Sequence, residues 1–561
     1  MTTVHTAPVR SRTRHALIVF ALIAVSLVAF LPGIASLPPT DRDESRYVQA
    51  TKQMVETGDY VDIRLQEVSR YKKPIGIYWL QAAFVGASGE GAEAPIWIYR
   101  LVSTTGAVLA VLGMYWTGAF LFGLPAGLLA AIGMIGMFAT NFEARIAKTD
   151  AMLLATAVAA QAALLHAYVS HKRGTPIEGA KSYLFWLAQA AAILVKGPIV
   201  PLLSGLTALG VAYFDRDRRW IATLRPGRGI SLTVLIVLPW LLLISWKTGL
   251  EFWHESVGND LLGKVMEGQE SHGFPPGYYA LSYGLFMWPF TVLALQGGLR
   301  ALNRFREDPR LLVLLCWYIP FWLFFELLPT KLPHYVLPAY PAIILMMAWF
   351  YSDALAETIE LRRWQRLLLW LARIGTVVVT VGLAAVAAGA EYYLFGRVSP
   401  VGIVAALVIL AAGALGLAPI PRTQAPWRLA ATAAAGALSF AMLATYVVPS
   451  MTPFWLSPRI AETFHRVKPC ATSRLSSADY HEPSLVFLTE TGTRLVRGAQ
   501  AAADLMADRE CAVAVVTRRQ MASFVDALPQ GLASVTELAR IDGINYSKGD
   551  RLELVFYRAA D

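Results

Sequence analysis

Thirteen stretches of this chain are apolar over most of the length that a bilayer demands, and that limits the fold before any single residue is weighed. In hydrocarbon every backbone N–H and C=O must be satisfied within the chain, so such stretches become helices in a packed bundle. Their limits fall near 16–37, 101–123, 124–142, 150–170, 182–195, 198–214, 230–248, 278–298, 311–328, 334–351, 367–390, 400–419 and 429–448. With 56% hydrophobic and only 16% charged residues, the chain is too apolar for a soluble protein. The expected class is a polytopic α-helical membrane protein.

Spans five and six are short and divided by Lys196-Gly197-Pro198. Read as one kinked helix, they would invert everything downstream. The positive-inside rule decides against that. With thirteen spans and the N-terminus inside, the cytoplasmic segment 215–229 carries Arg216, Arg218, Arg219, Arg225 and Arg228. Segments 299–310 and 352–366 are basic too, whereas the outer connections 143–149 and 329–333 carry one or two basic residues each. Fusing the two spans would put 215–229 outside. The net charge of +10 therefore reports topology. It is not a nucleic-acid signal, because the basic residues form no contiguous face. The first span has a basic flank but no cleavage site ahead of a soluble domain, and is expected to be a retained anchor.

Two domains follow from this pattern. Residues 1–450 form the membrane domain, with long outer loops at 38–100 and 249–277. Residues 451–561 have ordinary soluble composition and the size of a small α/β domain, placed outside by the odd number of spans. In the first loop, Thr40 or Asp41 is expected to cap a short amphipathic helix that Gly58-Asp59 ends. Val61 to Gln66 reads as a short strand, and Pro74 opens a second surface helix whose Tyr78 and Trp79, with Trp97, belong at headgroup depth. In the C-terminal domain, 484–489 and 512–516 read as buried strands, 499–507 and 519–528 as helices, and 552–557 as a final strand. Cys470 and Cys511 both lie there. An oxidising compartment permits a disulfide between them, and two unpaired thiols are the alternative.

The segment DRDESRY, Asp41 to Tyr47, carries the clearest chemical signal. Asp43, Arg46 and Tyr47 share one helix face by spacing. Asp43 is the candidate general base, for it suits deprotonation of an acceptor hydroxyl or amine during attack on a sugar carbon, and Arg46 would help hold it ionised. For Asp41 and Glu44 taken separately, a solvated helix face is the stronger reading. Lys72-Lys73-Pro74 offers a point charge and free backbone donors suited to phosphate, against the alternative of lysines snorkelling to headgroups. Lys331-Leu332-Pro333-His334-Tyr335 squeezes a lysine into a tight outer turn. Asp150 follows Arg145 and Lys148 at the mouth of the fourth span, where a helix dipole also favours an acid. All four elements lie on one side under the topology above, so acids and cations distant in sequence can meet in one cavity at the membrane face.

In order, DRDESRY, KKPIGIYW (Lys72 to Trp79), ARIAKTD (Ala144 to Asp150) and KLPHYVLPAYP (Lys331 to Pro341) resemble the GT-C glycosyltransferases. Within that class the chain is most similar to the bacterial lipid A aminoarabinose transferases, and more distantly to protein O-mannosyltransferases. The resemblance spans the whole chain. It implies a polyprenyl (undecaprenyl) phosphate-linked sugar as donor, a lipid A, lipopolysaccharide core or other envelope acceptor, and work at the periplasmic face of the bacterial inner membrane. It makes Asp43 the catalytic carboxylate supported by Arg46, with Asp150 as the second acid. Lys73 would contact the donor phosphate, and Tyr335 would line the same cavity. Lys331, Glu44, Tyr47 and His272 are counted with the substrate-binding residues. The aminoarabinose transferases tend to have Glu before this Lys-Pro, where it can join a metal site; here Lys72 stands there. His254, Glu255, Asp260 and His272 could still collect zinc, but they have no tight ligand spacing, so no metal or other cofactor is expected.

Two other functions fit the same outline. A lipid-linked sugar flippase should place ionisable residues near mid-span in broken helices, and here they cluster in outer loops. Protein O-glycosylation shares the mechanism and differs only in acceptor.

Overall fold

The computed structural model describes residues 7–263, 273–353 and 360–560. Helix underlies all thirteen apolar stretches. Among the described residues, nine helices are long and apolar enough to cross a membrane unaided, from Thr13–Phe30 to Ala425–Ser450. The rest are short or broken. Gly179–Lys196 and Ile199–Asp215 are separate helices, because Gly197 adopts φ 72° and Pro198 donates no N–H. The stretch at 278–298 likewise splits into Tyr278–Phe286 and Thr291–Arg304. The chain is a multi-pass membrane protein.

Two buried arginines close the end of the first span. A helix C-terminus leaves carbonyls without partners. Arg145 donates to Pro32 O at 2.7 Å and also to Ala29 O. Arg100 donates to Ile34 O and Leu37 O at 2.8 and 2.6 Å, and to Pro38 O at 3.0 Å. These bonds tie the spans beginning at Ile96 and Asp150 to the start of the first loop.

The first loop forms helix Asp43–Thr57, a hairpin pairing Arg64–Leu65 with Val68–Ser69, and helix Gly76–Ser88. Gly58 ends the first helix in the left-handed conformation, as expected. Its start differs from expectation: Arg42 precedes it at φ 65°, and neither Thr40 nor Asp41 caps it. Tyr78 also departs from the headgroup reading. It is fully buried, while Trp79 and Trp97 are each 39% exposed.

Beyond Ser450 lies a five-stranded sheet ordered Arg494–Val496, Leu475–Ala478, Val513–Thr517, Asp550–Ala559 and Val535–Asn545. The first three strands run parallel and the last two are antiparallel. Helices cover both faces, giving an apolar core on each side. Cys470 and Cys511 are bonded. The expected strand at 484–489 is instead helix Pro483–Leu488. A short apolar run does not distinguish the two, and Pro483 suits a helical first turn. This domain docks on the first loop: Gln66 donates to Thr491 O and Thr493 O at 2.9 and 2.6 Å, Arg42 to Ser547 O at 2.8 Å, and Ser484 to Asp41.

Candidate active site

The first loop, segment 144–150, the Lys196-Gly197-Pro198 break, loop 252–260 and turn 328–335 meet around one cavity of about 610 Å³ at one end of the bundle. The arginine-rich connections lie at the other end, where Lys172, Arg173, Arg304 and Arg310 line a separate cavity.

Segment 144–149 places Asp150 although it is not regular structure. Side chains from neighbouring elements hold its carbonyls: Thr104 bonds Ala144 O at 3.0 Å, Ser103 bonds Ile146 O at 2.7 Å and Gln81 bonds Ala147 O at 3.3 Å. Gly106 lets the backbones of helices Ile96–Phe122 and Asp150–Lys172 approach, since a Cβ there would lie 2.7 Å from Ala151. Asp150 thus opens its helix while buried, bonded to Lys196 at 2.6 Å. Lys148 Nζ lies 3.4 Å and His334 Nε2 3.8 Å from the same carboxylate. Lys196 also sits over the Tyr335 ring, 5.9 Å from its centroid.

Asp43 lines the same cavity from the first turn of its helix. Burial pushes its carboxyl up, but Lys148, then His334 and Arg70, outweigh that and hold it below the usual carboxylate range. Lys148 is the hub. Burial alone would lower its ammonium, yet Glu143 at 3.1 Å, Asp150 and Asp43 outweigh burial and keep it above the ordinary lysine range. Arg46, expected to hold Asp43 ionised, lines the cavity, where Lys148, His334 and Arg70 act on that carboxyl more strongly.

The structure brings Asp43, Asp150, Arg46, Tyr47, Lys73 and Tyr335 to the cavity wall. Lys73 is paired with Asp260 at 3.0 Å. Two residues expected at the substrate do not line it. Glu44 is fully buried against Arg100, with its oxygens also taken by the Ala147 and Thr40 amides. Lys331 is buried and donates to Phe274 O at 2.9 Å and to Leu328 O, pinning its turn. Both belong to the scaffold. His272 lies outside the described residues. His254 and Glu255 face solvent, and among the described residues no group of three or more His, Cys, Asp or Glu gathers.

Sequence reasoning did not single out Lys148, Lys196, Arg70 or His334 as site residues, and weighed Asp260 only as a zinc ligand. Lys196 had a visible signal, a charge between two apolar spans, but it was read only as a break. The cavity wall holds six Lys or Arg (Arg46, Arg70, Lys72, Lys73, Lys148, Lys196) against Asp43, Asp150 and Asp260. That excess suits a ligand with negative charge. Beyond this polar end the wall turns apolar, with Leu202, Val237, Leu241 and Phe324 from three spans. An anionic head and a hydrocarbon tail match the two halves.

A profile of the dolichyl-phosphate-mannose-protein mannosyltransferase family matches residues 17–255. An undecaprenyl phosphate-alpha-4-amino-4-deoxy-L-arabinose arabinosyl transferase from Aeromonas hydrophila subsp. hydrophila is 26% identical over 417 residues, 73% of this chain and 74% of that protein. Its counterpart numbered 1 from Sodalis glossinidius is 28% identical over 311 residues, 54% of each chain. The match thus spans about half of that second relative. Among solved structures, ArnT from Cupriavidus metallidurans bound to undecaprenyl phosphate is similar with a TM-score of 0.74 at 19% identity, covering 96% of this chain and 97% of that one. Its apo form gives 0.72 at 18% identity, with coverage of 97% and 98%. At these identities the likeness establishes the fold.

Proposed function

We propose that this chain, a membrane glycosyltransferase of the GT-C type similar to the aminoarabinose transferases, moves a sugar from undecaprenyl phosphate to a lipid A, lipopolysaccharide core or other envelope acceptor. The reaction takes place at the periplasmic face of a bacterial inner membrane, with residues 451–561 forming a periplasmic domain on the same side. The single observation that carries the reading is the two-part cavity, whose cation-rich end also holds the carboxylates Asp43, Asp150 and Asp260 and whose other end is an apolar passage between spans.

Asp43 accepts the proton of the acceptor hydroxyl or amine as that group attacks the anomeric carbon. An ionised carboxylate is required for this, and the cations Lys148 and Arg70 keep it so. The bond from the anomeric carbon to the phosphate oxygen breaks, and its electron pair leaves with the polyprenyl phosphate. Lys73 and Arg46 offer positive charge to that phosphate. Asp150 holds Lys196 and Lys148 in place around the reacting centre.

The test is transfer by purified protein from undecaprenyl-phosphate sugars to lipid A, with Asp43→Asn as control. The substitution is isosteric and cannot accept a proton at neutral pH, so turnover should fall by about a hundredfold to ten-thousandfold. Near-normal turnover would remove Asp43 from the mechanism. Mass spectrometry of lipid A, core and envelope proteins from a strain lacking the gene would identify the acceptor and the sugar mass. The mannosyltransferase profile over residues 17–255 favours keeping proteins among the acceptors assayed.

A further inference from the structure

Most buried cations around the cavity have a carboxylate. Lys148 has Glu143 and Asp150, Lys196 has Asp150, and Lys73 has Asp260. Arg70 differs. Its side chain is 7% exposed and lines the cavity, yet among the described residues no carboxylate reaches it within ion-pair distance, and its Nε has no hydrogen-bond partner. What holds it is packing: its guanidinium sits over the Tyr47 ring, 5.1 Å from the centroid, and its backbone N–H bonds Ile63 O at 2.8 Å next to the hairpin. The Tyr78 hydroxyl is buried beside it, a neutral neighbour that interacts with the guanidinium but brings no carboxylate. Asp43 and Asp260 attract it from beyond contact distance.

Buried charges are normally paired, because desolvation is costly and an uncompensated charge is worse than either a pair or none. A guanidinium kept nine-tenths buried, facing a cavity and lacking a counter-charge, is therefore a site for an anion. Bonding to Asp43 would satisfy Arg70 but would also occupy the general base. Holding the two apart leaves both available to substrate.

We propose that Arg70 is a donor-binding catalytic residue whose planar fork takes two oxygens of the undecaprenyl phosphate. This rests on the proposed transfer reaction and adds a residue and a role to it. In the ground state the donor is a phosphodiester with one negative charge. When the bond from the anomeric carbon to oxygen breaks, the electron pair stays on the phosphate, which becomes a dianion, while the acceptor's proton passes to Asp43. Two parallel N–H donors match that developing charge better than a lysine's point charge. Lys73, already shared with Asp260, binds the phosphate in both states. Arg70 should matter most as the bond breaks.

The experiment compares Arg70→Gln, Arg70→Lys and Lys73→Gln in detergent micelles, measuring binding of undecaprenyl phosphate, binding of lipid A, and turnover. Arg70→Gln should weaken undecaprenyl phosphate binding about tenfold and lower kcat by about a hundredfold, the effect of losing a preorganised charge-stabilising donor. Lipid A binding should not change. Arg70→Lys keeps the charge against Tyr47 and covers the case in which Arg70→Gln does not fold. It should bind undecaprenyl phosphate nearly as well as the parent yet turn over at least about tenfold more slowly, because the fork is lost. Parent-like turnover by Arg70→Lys, or parent-like phosphate binding by Arg70→Gln while Lys73→Gln binds weakly, overturns the role of Arg70 and leaves the transfer reaction standing. Parent-like phosphate binding by both glutamine variants overturns the phosphate site as a whole. Loss of lipid A binding with undecaprenyl phosphate binding intact would move Arg70 to the acceptor and overturn its assignment to the donor.

Discussion

Replacing Glu44 with glutamine separates a scaffold role from a substrate role for the first-loop carboxylates. One oxygen of Glu44 accepts from Arg100 Nε and the Ala147 amide, both at 2.8 Å. The other accepts from Arg100 Nη2, the Thr40 amide and the Thr40 hydroxyl, each at 2.9 Å. A glutamine has one oxygen and one NH₂ to offer these donors. Whichever way the amide turns, at least two donors lose their acceptor and face another donor. The Thr40 hydroxyl can rotate away, but backbone and guanidinium N–H groups cannot. Arg100, fully buried, also loses its carboxylate partner. Removing one member of a buried pair costs about 3–5 kcal/mol, a large part of an ordinary folding free energy. The charge itself contributes. Burial raises the Glu44 carboxyl, but Arg100 and the amide bonds outweigh that and hold it below the ordinary range. This contribution is present above the unfolded-state value and lost as pH falls through the folded one, and glutamine removes it at every pH. Thermal unfolding of the purified protein in detergent should show a midpoint several degrees lower. The KM for donor in the fraction that remains folded should be unchanged, since Glu44 does not line the cavity. An unchanged midpoint with a raised donor KM would refute this reasoning and return Glu44 to the substrate.

Lys148→Met should move the acid limb of the pH–rate profile upward. Burial raises the Asp43 carboxyl and Lys148 is the first group opposing it, so without the ammonium the base form is lost at higher pH as pH falls; an unmoved limb removes Lys148 from this role. Asp41 lies where the C-terminal domain meets the first loop, and burial pushes its carboxyl up from 3.8 to about 6, with Ser484 lowering it and Glu482 raising it. A raised folded value means that its contribution to docking is present at acid pH and lost as pH rises through about 6. Proteolysis near Ser450 should therefore speed up between about pH 5 and pH 7.5 in the parent and stay level in Asp41→Asn, and a parent that shows no such rise refutes the point. Reporters fused at Asp217 and after Ala507 should report opposite sides of the membrane, cytoplasmic and periplasmic; both on one side would break the thirteen-span topology.

The fold was legible where hydrophobic length alone decides. Each apolar stretch became helix, and the break at Gly197-Pro198 falls where glycine and proline say it must. The sheet domain was read less well: Leu475–Ala478 takes its pairing from segments distant in sequence, and Val535–Asn545, the hairpin partner of Asp550–Ala559, mixes polar and apolar residues and so shows no buried-strand run. Of the candidate site, the placement of Asp43, Lys73, Asp150 and Tyr335 on the cavity wall was legible because each stands in a short motif with a charge or ring that a loop does not otherwise need. Glu44 and Lys331 look the same in sequence, yet their partners, Arg100 and the carbonyls of Phe274 and Leu328, are fixed only by packing across the bundle. Lys148 and Arg70 were missed for the converse reason. Each reads as one more loop cation until burial shows which carboxylates it has, or lacks.

The apolar half of the cavity is built from spans that also face lipid: only 22% of helix Pro226–Thr248 over its most apolar window is buried. A donor whose tail enters between such helices arrives sideways, by diffusion within the leaflet. Encounter is then two-dimensional, and turnover should follow the mole fraction of donor in the bilayer rather than its molarity in the sample. Diluting the donor with inert phospholipid at constant total donor should slow the enzyme as effectively as removing donor. The spent carrier leaves into the same plane, so it competes with fresh donor until the membrane itself clears it.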